Sequence, residues 1–276
     1  MEKEKRVLEI ENDGIFMKEH EQNLYILNNK ILLLYDMYNQ TVINSKEVLH
    51  KNGKSRAFII DGNSIYMKDF CMLYEYDKNT FTLRRKWKLG TDLSSDINAL
   101  GSDNDNIYAS IRNGTLAVIN KISGDVSYYK VSNYSMWDIV VTPYYLYAGN
   151  VNGNFLIIDK NNFTVSKCIP LHKKNLKSLL LLKDTFFTAS QDLSMKALDI
   201  NSFEVKLTAK KCHKKMFVIV GSYQNHIVTT SPPCRETKIW NMNDLSLCET
   251  LPFASWNMII IGNFLFFNDK KGICVF

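Results

Sequence analysis

A two-residue signature, an aliphatic residue followed by an aromatic or aliphatic one, returns along this chain about every forty positions. It reads Leu24-Tyr25, Ile65-Tyr66, Ile107-Tyr108, Leu146-Tyr147, Phe186-Phe187, Ile227-Val228 and Leu265-Phe266, and the second members lie 41, 42, 39, 40, 41 and 38 residues apart. Self-similarity at such a period belongs to repeat architectures, in which each unit buries its faces against its neighbours. The spacing therefore restricts the fold before any chemistry is considered.

Each unit holds four short strand signals. In the fifth, Leu176 to Lys183, Phe186 to Ser190, Met195 to Asp199 and Phe203 to Thr208 are runs rich in apolar, β-branched and aromatic residues. Turn residues separate them, and no stripe of helical period competes. The first strands are predicted to begin near Ser55, Asp96, Met136, Leu176, Met216 and Trp256. Four strands in each of seven units predict an all-β fold, a single seven-bladed β-propeller over residues 1–276 with blades starting near 14, 55, 96, 136, 176, 216 and 256. The seventh unit ends in its third strand, at Ile273 to Phe276, whereas a spare strand, residues 6–11, precedes the first unit. The N-terminal strand is thus predicted to complete the last blade and close the ring.

A hydrophobic content of 46% is ample for such a core. The longest apolar stretch, Ile259 to Phe267, is broken by Gly262 and Asn263 and is too short to span a membrane. The opening Met-Glu-Lys-Glu-Lys-Arg has no apolar segment behind it, so no secretory signal is expected. Six cysteines lack any CxxC pair. Cys168 and Cys248, 80 residues apart, are expected to be buried thiols in equivalent packing sites, and a reducing cytoplasm is the expected setting. The formal charge of +6 rests on 28 lysines against 6 arginines, which permits an anionic partner without requiring one.

The third strands end in an aromatic or aliphatic residue followed by Asp or Asn: Tyr35-Asp36, Tyr76-Asp77, Ile119-Asn120, Ile158-Asp159, Leu198-Asp199 and Trp240-Asn241. In the fifth unit Leu171-His172, Ser190-Gln-Asp192 and Met195-Lys196-Ala197-Leu198-Asp199 complete a pattern that resembles the WD-repeat propellers. That resemblance implies a hydrogen-bonded network of His172, Ser190 and Asp192, here without the indole donor because Leu198 stands at the Trp place. In the sixth unit His213 and Trp240 match, but the turn Ser231 to Arg235 has no Asp. The third and fourth units, with turns Asn113-Gly114 and Asn152-Gly153, also resemble quinoprotein-type repeats.

No catalytic constellation stands out. Gly53-Lys54-Ser55 lacks the earlier glycine of a phosphate loop. His50, His172 and His213 fall at loops entering first strands, where a structural role is expected. Asp96 and Asp138 open first strands, but Lys177, Phe217 and Asn257 in the neighbouring units leave no ring of oxygen ligands, so neither metal nor cofactor is expected. The stronger signal is cationic. The loops from a fourth strand to the next first strand carry Lys173, Lys174 and Lys177, then Lys214 and Lys215. Arg235 joins them from a turn between second and third strands, His50, Lys51 and Lys54 lie in the first-to-second loop, and Tyr134 and Phe253 should flank the patch.

These residues lead to the expectation of a non-catalytic, cytoplasmic interaction scaffold. It would be a monomeric propeller within a larger assembly, binding a protein or peptide, acidic or phosphorylated, at the loop face. One alternative is a propeller enzyme or small-molecule sensor with its site at the mouth of the central channel. Another is contact with a nucleic-acid backbone through the lysines, for which the chain lacks interleaved Arg and a row of stacking aromatics.

Overall fold

The computed structural model describes residues 5–9, 15–28, 31–48, 58–268 and 272–276. The expected blade starts at Gly14 and Ser55, the end of the closing strand at Ile10 and Glu11, and the loop residues His50, Lys51, Gly53 and Lys54 lie outside them. The chain is an all-β, seven-bladed β-propeller of seven four-stranded antiparallel sheets. It divides into two compact units, residues 1–97 with 257–276, and residues 98–256.

In the first unit, β1 (Lys5–Glu9) precedes the first blade, which is β2 (Phe16–His20), β3 (Asn23–Leu27), β4 (Ile31–Asp36) and β5 (Thr41–Glu47). The second blade is β6 (Phe58–Asp61), β7 (Ser64–Asp69), β8 (Met72–Asp77) and β9 (Leu83–Lys88). The third is β10 (Ile97–Ser102), β11 (Asn106–Ile111), β12 (Thr115–Asn120) and β13 (Val126–Lys130), and with it the second unit begins. The fourth is β14 (Met136–Val141), β15 (Tyr145–Asn150), β16 (Asn154–Asp159) and β17 (Val165–Pro170). The fifth is β18 (Leu176–Leu182), β19 (Thr185–Ser190), β20 (Met195–Asp199) and β21 (Val205–Ala209). The sixth is β22 (Val218–Tyr223), β23 (His226–Ser231), β24 (Glu236–Asn241) and β25 (Leu247–Leu251). The chain then returns to the first unit with β26 (Ile259–Ile261), β27 (Phe264–Asn268) and β28 (Gly272–Val275). The strand order of the seventh sheet is β1-β28-β27-β26, with Arg6 opposite Cys274 and Leu8 opposite Ile273. The N-terminal strand thus fills the fourth place of the C-terminal blade.

The repeating signature marks the second strand of each blade, and its alternation explains the core. In β15, Leu146 and Ala148 turn toward the third blade and pack with Leu116, Met136 and Ile158. Tyr147, between them, turns the other way and packs with Phe155, Phe186 and Leu198. Both faces of a middle strand are buried, so it reads as a continuous apolar run rather than an alternating one. The fourth strands are outer edges and remain largely exposed. Cys168 in β17 and Cys248 in β25 are exposed for that reason, which corrects the expectation that both are buried. Nor are they equivalent, since Cys168 pairs with Leu156 whereas Cys248 falls at the bulge beside Trp240.

The Asp or Asn that closes each third strand builds the turn that follows. Asp77 Oδ1 accepts the Asn79 and Thr80 N–H groups at 2.9 and 2.8 Å, and Asp199 Oδ1 accepts those of Asn201 and Ser202 at 2.9 Å each. Asn120 Oδ1 accepts those of Ile122 and Ser123 at 3.0 and 2.9 Å, and Asp159 Oδ1 accepts that of Asn161 at 2.8 Å. Four residues on, the chain turns left-handed at Phe81, Phe163, Phe203 and Leu245, with φ between 54 and 59°. Such turns favour a short polar side chain at their first position because it bonds its own backbone two residues on. These carboxylates are therefore occupied by structure.

Candidate functional site at the loop end of the second unit

In a four-stranded meander, the turn from second to third strand and both interblade loops emerge at the same end of the sheet. Hydrogen bonds stitch these segments into a continuous belt in the second unit. The N–H groups of Ser132, His172 and Cys212, one in each interblade loop, donate to the carbonyls of Gly114, Gly153 and Leu193 at 3.0, 2.9 and 2.9 Å. From the following blades, Val151 N donates to Ser135 O, Gln191 N to Asn175 O, and Ser231 Oγ to Met216 O, each at 2.9 Å. Glycine is required at 153 (φ +81°), where a Cβ would stand 2.2 Å from the His172 carbonyl oxygen.

Two histidines anchor the belt. His172 is buried; its Nδ1 lies 3.2 Å from Asp192 Oδ2 and 3.0 Å from Ser194 Oγ, and its Nε2 lies 2.9 Å from Thr188 Oγ1. Ser190 does not meet the imidazole. Two residues beyond Thr188, its hydroxyl instead donates to Lys174 O and accepts from Asp192 N, both at 3.0 Å. Desolvation lowers the His172 pKa to about 4, so the ring is neutral. Burial alone would raise the Asp192 carboxyl, but hydrogen bonds from Ser194 and from the Lys173 N–H outweigh it and bring it to about 2.

The sixth blade repeats this design with a different acid. His213 Nδ1 lies 2.9 Å from Glu236 Oε1, its Nε2 lies 2.8 Å from Thr229 Oγ1, and Trp240 Nε1 donates to the same hydroxyl at 2.8 Å. Burial lowers the His213 pKa as well. A neutral ring with its proton on Nδ1 orders the whole chain: indole N–H to Thr229 oxygen, Thr229 O–H to Nε2, and Nδ1–H to Glu236. The sequence pattern missed Glu236 because it lies just past the turn, where the 3₁₀ turn Pro232–Cys234 intervenes.

Around this frame the charges segregate. The loops at the belt end of the second unit carry eight cations: Arg112, Lys173, Lys174, Lys210, Lys211, Lys214, Lys215 and Arg235. Asp192, committed to His172, Ser194 and Lys173, is their single carboxylate within residues 98–256; the loop entering the third blade, 89–96, adds Asp92 and Asp96 and no cation. The loops at the opposite end of the same blades carry three cations, Lys121, Lys160 and Lys183, against six acids, Asp103, Asp105, Asp125, Asp184, Glu204 and Asp244. Lys173, Lys174, Lys214, Lys215 and Arg235 are all exposed. The two lysine pairs flank one turn: Ser190 bonds Lys174 O on one side, and Gln191 Nε2 lies 3.5 Å from Met216 Sδ on the other. Tyr134 is exposed in the loop entering the fourth blade, and half-buried Phe253, whose carbonyl accepts from Thr237 Oγ1 at 2.8 Å, lies beyond the sixth.

Lys177 differs from these lysines. It belongs to β18, is half-buried, and holds its Nζ 3.4 Å from the centroid of the Trp137 ring, with its pKa lowered by desolvation. Asp138 is engaged by backbone, its Oδ2 accepting Leu179 N at 2.8 Å and its Oδ1 accepting Ile139 N at 3.0 Å. Ser178 Oγ accepts Ile219 N at 2.9 Å in the next blade, and Asn98 Nδ2 donates to Met136 O at 3.0 Å. Asn98, Asp138 and Ser178, 40 residues apart, thus clasp successive blades. Among the described residues, no three of His, Cys, Asp and Glu gather as a metal site would need, and no helix is long and apolar enough to cross a membrane. Burial raises the Cys212 thiol to about 11, far from a reactive thiolate. The chain matches no model of a known protein family, and no curated protein matches it.

Proposed function

We propose that this propeller is a non-catalytic interaction module that docks an acidic segment of a partner protein on the belt end of its second unit, as a subunit of a larger cytosolic assembly. The observation that carries the reading is the charge segregation: eight cations and one committed carboxylate at one end, three cations and six acids at the other. Lysines that served solubility alone would be useful at both ends. Gathered at one, they create a field that steers an anionic segment and raises its local concentration. Exposed Tyr134 and Met216 supply apolar contact among the charges, and the hydrogen-bonded belt holds the loops in place before binding, so little ordering cost falls on the module. A phosphorylated segment satisfies the same cations. We also assign the blades to the WD type, a reading supported by the His213, Thr229, Trp240 and Glu236 network.

A fluorescent glutamate-rich peptide titrated by anisotropy tests the proposal. It should bind at low salt and weaken steeply toward physiological ionic strength, where the Debye length is about 8 Å, and the pair Lys174→Glu and Lys214→Glu should abolish binding. Unchanged affinity in that double variant would overturn it.

A further inference from the structure

The first strands of the fourth and fifth blades each carry a bulge at the same place. Met136 and Asp138 pair with Asn150 and Gly149, leaving Trp137 unpaired between them, and Leu176 and Ser178 pair with Ser190 and Ala189, leaving Lys177 unpaired. A bulge re-aims the side chain it carries, and both occur on the free edge of their sheets, one residue inside the belt end. The two side chains meet, the ammonium lying over the indole ring.

Trp137 Nε1 is buried with no acceptor, and an indole N–H is a donor only. Lys177 has, among the described residues, no carboxylate partner. Asp138, the residue after Trp137, is taken up by the N–H groups of Leu179 and Ile139. Two residues before Lys177, the buried Asn175 Oδ1 also lacks a donor. An unmatched indole donor thus lies beneath a lysine ammonium, where the rest of the belt pairs its groups repeatedly. Buried polar groups are ordinarily paired, so the orphaned indole N–H calls for an explanation.

We infer that Trp137 and Lys177 form the anchor for one carboxylate of the docking segment, which accepts a hydrogen bond from the indole N–H and another from the ammonium. This rests on the reading of the belt end as an acidic dock. The exposed lysines attract the segment through water, and the anchor fixes its register, because a charge-assisted bond in a half-buried site is stronger and less screened than one at the rim. The Lys177 ammonium lies over the indole, and its rotatable stem lets it move aside to admit the carboxylate.

The chain has four tryptophans, Trp87, Trp137, Trp240 and Trp256, so nitrogen-labelled indoles give a small spectrum in which Trp137→Phe identifies its resonance. Sodium acetate, compared with sodium chloride at equal ionic strength, should move the Trp137 N–H saturably and leave Trp240, bonded to Thr229, in place. The glutamate-rich peptide should move the same resonance at far lower concentration. Lys177→Met should remove the acetate shift and weaken the peptide roughly tenfold while the Trp240 signal reports an intact fold. A Trp137 resonance unmoved by both acetate and peptide overturns the anchor. Peptide binding that is equal in wild type and Lys177→Met also overturns it, leaving the lysine dock standing. An acetate shift without any peptide binding keeps the carboxylate site and removes the dock.

Discussion

Thr229→Val in the sixth blade removes one hydroxyl from a buried chain and keeps the shape of the side chain. Thr229 Oγ1 accepts from Trp240 Nε1 at 2.8 Å and lies 2.8 Å from His213 Nε2, so the substitution leaves two buried polar groups without partners. An orphaned buried group costs about 1–3 kcal/mol. Part of that is offset because the valine no longer buries a hydroxyl of its own, which places the net loss near 3 kcal/mol. Thr188→Val in the fifth blade is the internal control. Leu198 stands where the indole would be, so only His172 Nε2, 2.9 Å from Thr188 Oγ1, loses its partner, and the loss should be about 1.5 kcal/mol. Urea unfolding followed by the fluorescence of buried Trp240, or by circular dichroism for both variants, reads the difference. In a Trp240→Leu background, which copies the fifth blade, Thr229→Val should cost only what Thr188→Val costs, giving a coupling near 1.5 kcal/mol in the double-mutant cycle. Equal losses for the two threonines in the wild-type background, or no coupling with Trp240, would show that the indole N–H is satisfied elsewhere and that the ordered chain of donors is wrong.

Deleting residues 1–12 removes the fourth strand of the seventh sheet and bares the β28 edge, and thermal unfolding should fall by roughly 5–10 °C; an unchanged midpoint would contradict the pairing of β1 with β28. The pH dependence follows from His172. Its folded pKa of about 4 lies below its ordinary 6.5, so its contribution is complete above pH 6.5 and is lost as pH falls toward 4, up to about 3 kcal/mol. Asp192, held at about 2, adds a further loss between pH 3.8 and 2. His172→Gln should flatten the upper part of that slope in urea titrations, and a slope that survives the substitution would assign it to other groups. At the turn of the fifth blade, Asp199→Ala frees the N–H groups of Asn201 and Ser202 to water and removes the ion pair with Lys206, so the urea midpoint should fall slightly with no effect on peptide binding.

The fold was legible because its determinants are periodic. Middle strands buried on both faces write the same apolar pair at Tyr66, Tyr108 and Tyr147, and the Asp or Asn that closes a third strand is demanded by a local turn, so both survive as columns in the sequence. The fourth strands were less legible, since an edge strand is held by backbone bonds and leaves its side chains free. That is why Cys168 and Cys248 were misread as buried. Parts of the candidate site escaped for a different reason. Asp138 looked like an acid opening toward a channel, but register decides its role: after the bulge at Trp137 its carboxylate reaches the Leu179 N–H of the next blade. The same bulge, repeated at Lys177, brings together two residues 40 apart whose types give no hint of a pair. Glu236 was hidden because a longer acid, placed beyond a 3₁₀ turn, does what Asp192 does from within its turn.

The proposed docking role fits the state of the titratable groups at the cationic end. A catalytic group needs a pKa placed near the working pH and an open path to substrate. Here the titratable groups at the belt point the other way: His172 and His213 are buried and neutral, Asp192 is locked ionised by three hydrogen-bond donors, and Cys212 is held as a thiol. Each is spent on holding loops against turns. What remains outward is a set of exposed lysines and two arginines on hydrogen-bonded loops, with one lysine drawn inward over an indole. In the proposed dock, long-range attraction comes from the first group and register from the second, so the two should separate experimentally. Reversing Lys174 and Lys214 should flatten the salt dependence of peptide association and slow its on-rate, because rim charges act mainly on encounter. Replacing Lys177 should raise the off-rate and leave the salt dependence nearly intact. Stopped-flow association and dissociation of the glutamate-rich peptide resolve the two effects, and variants that changed on-rate and off-rate alike at both positions would mean that the loop end binds as one undifferentiated field.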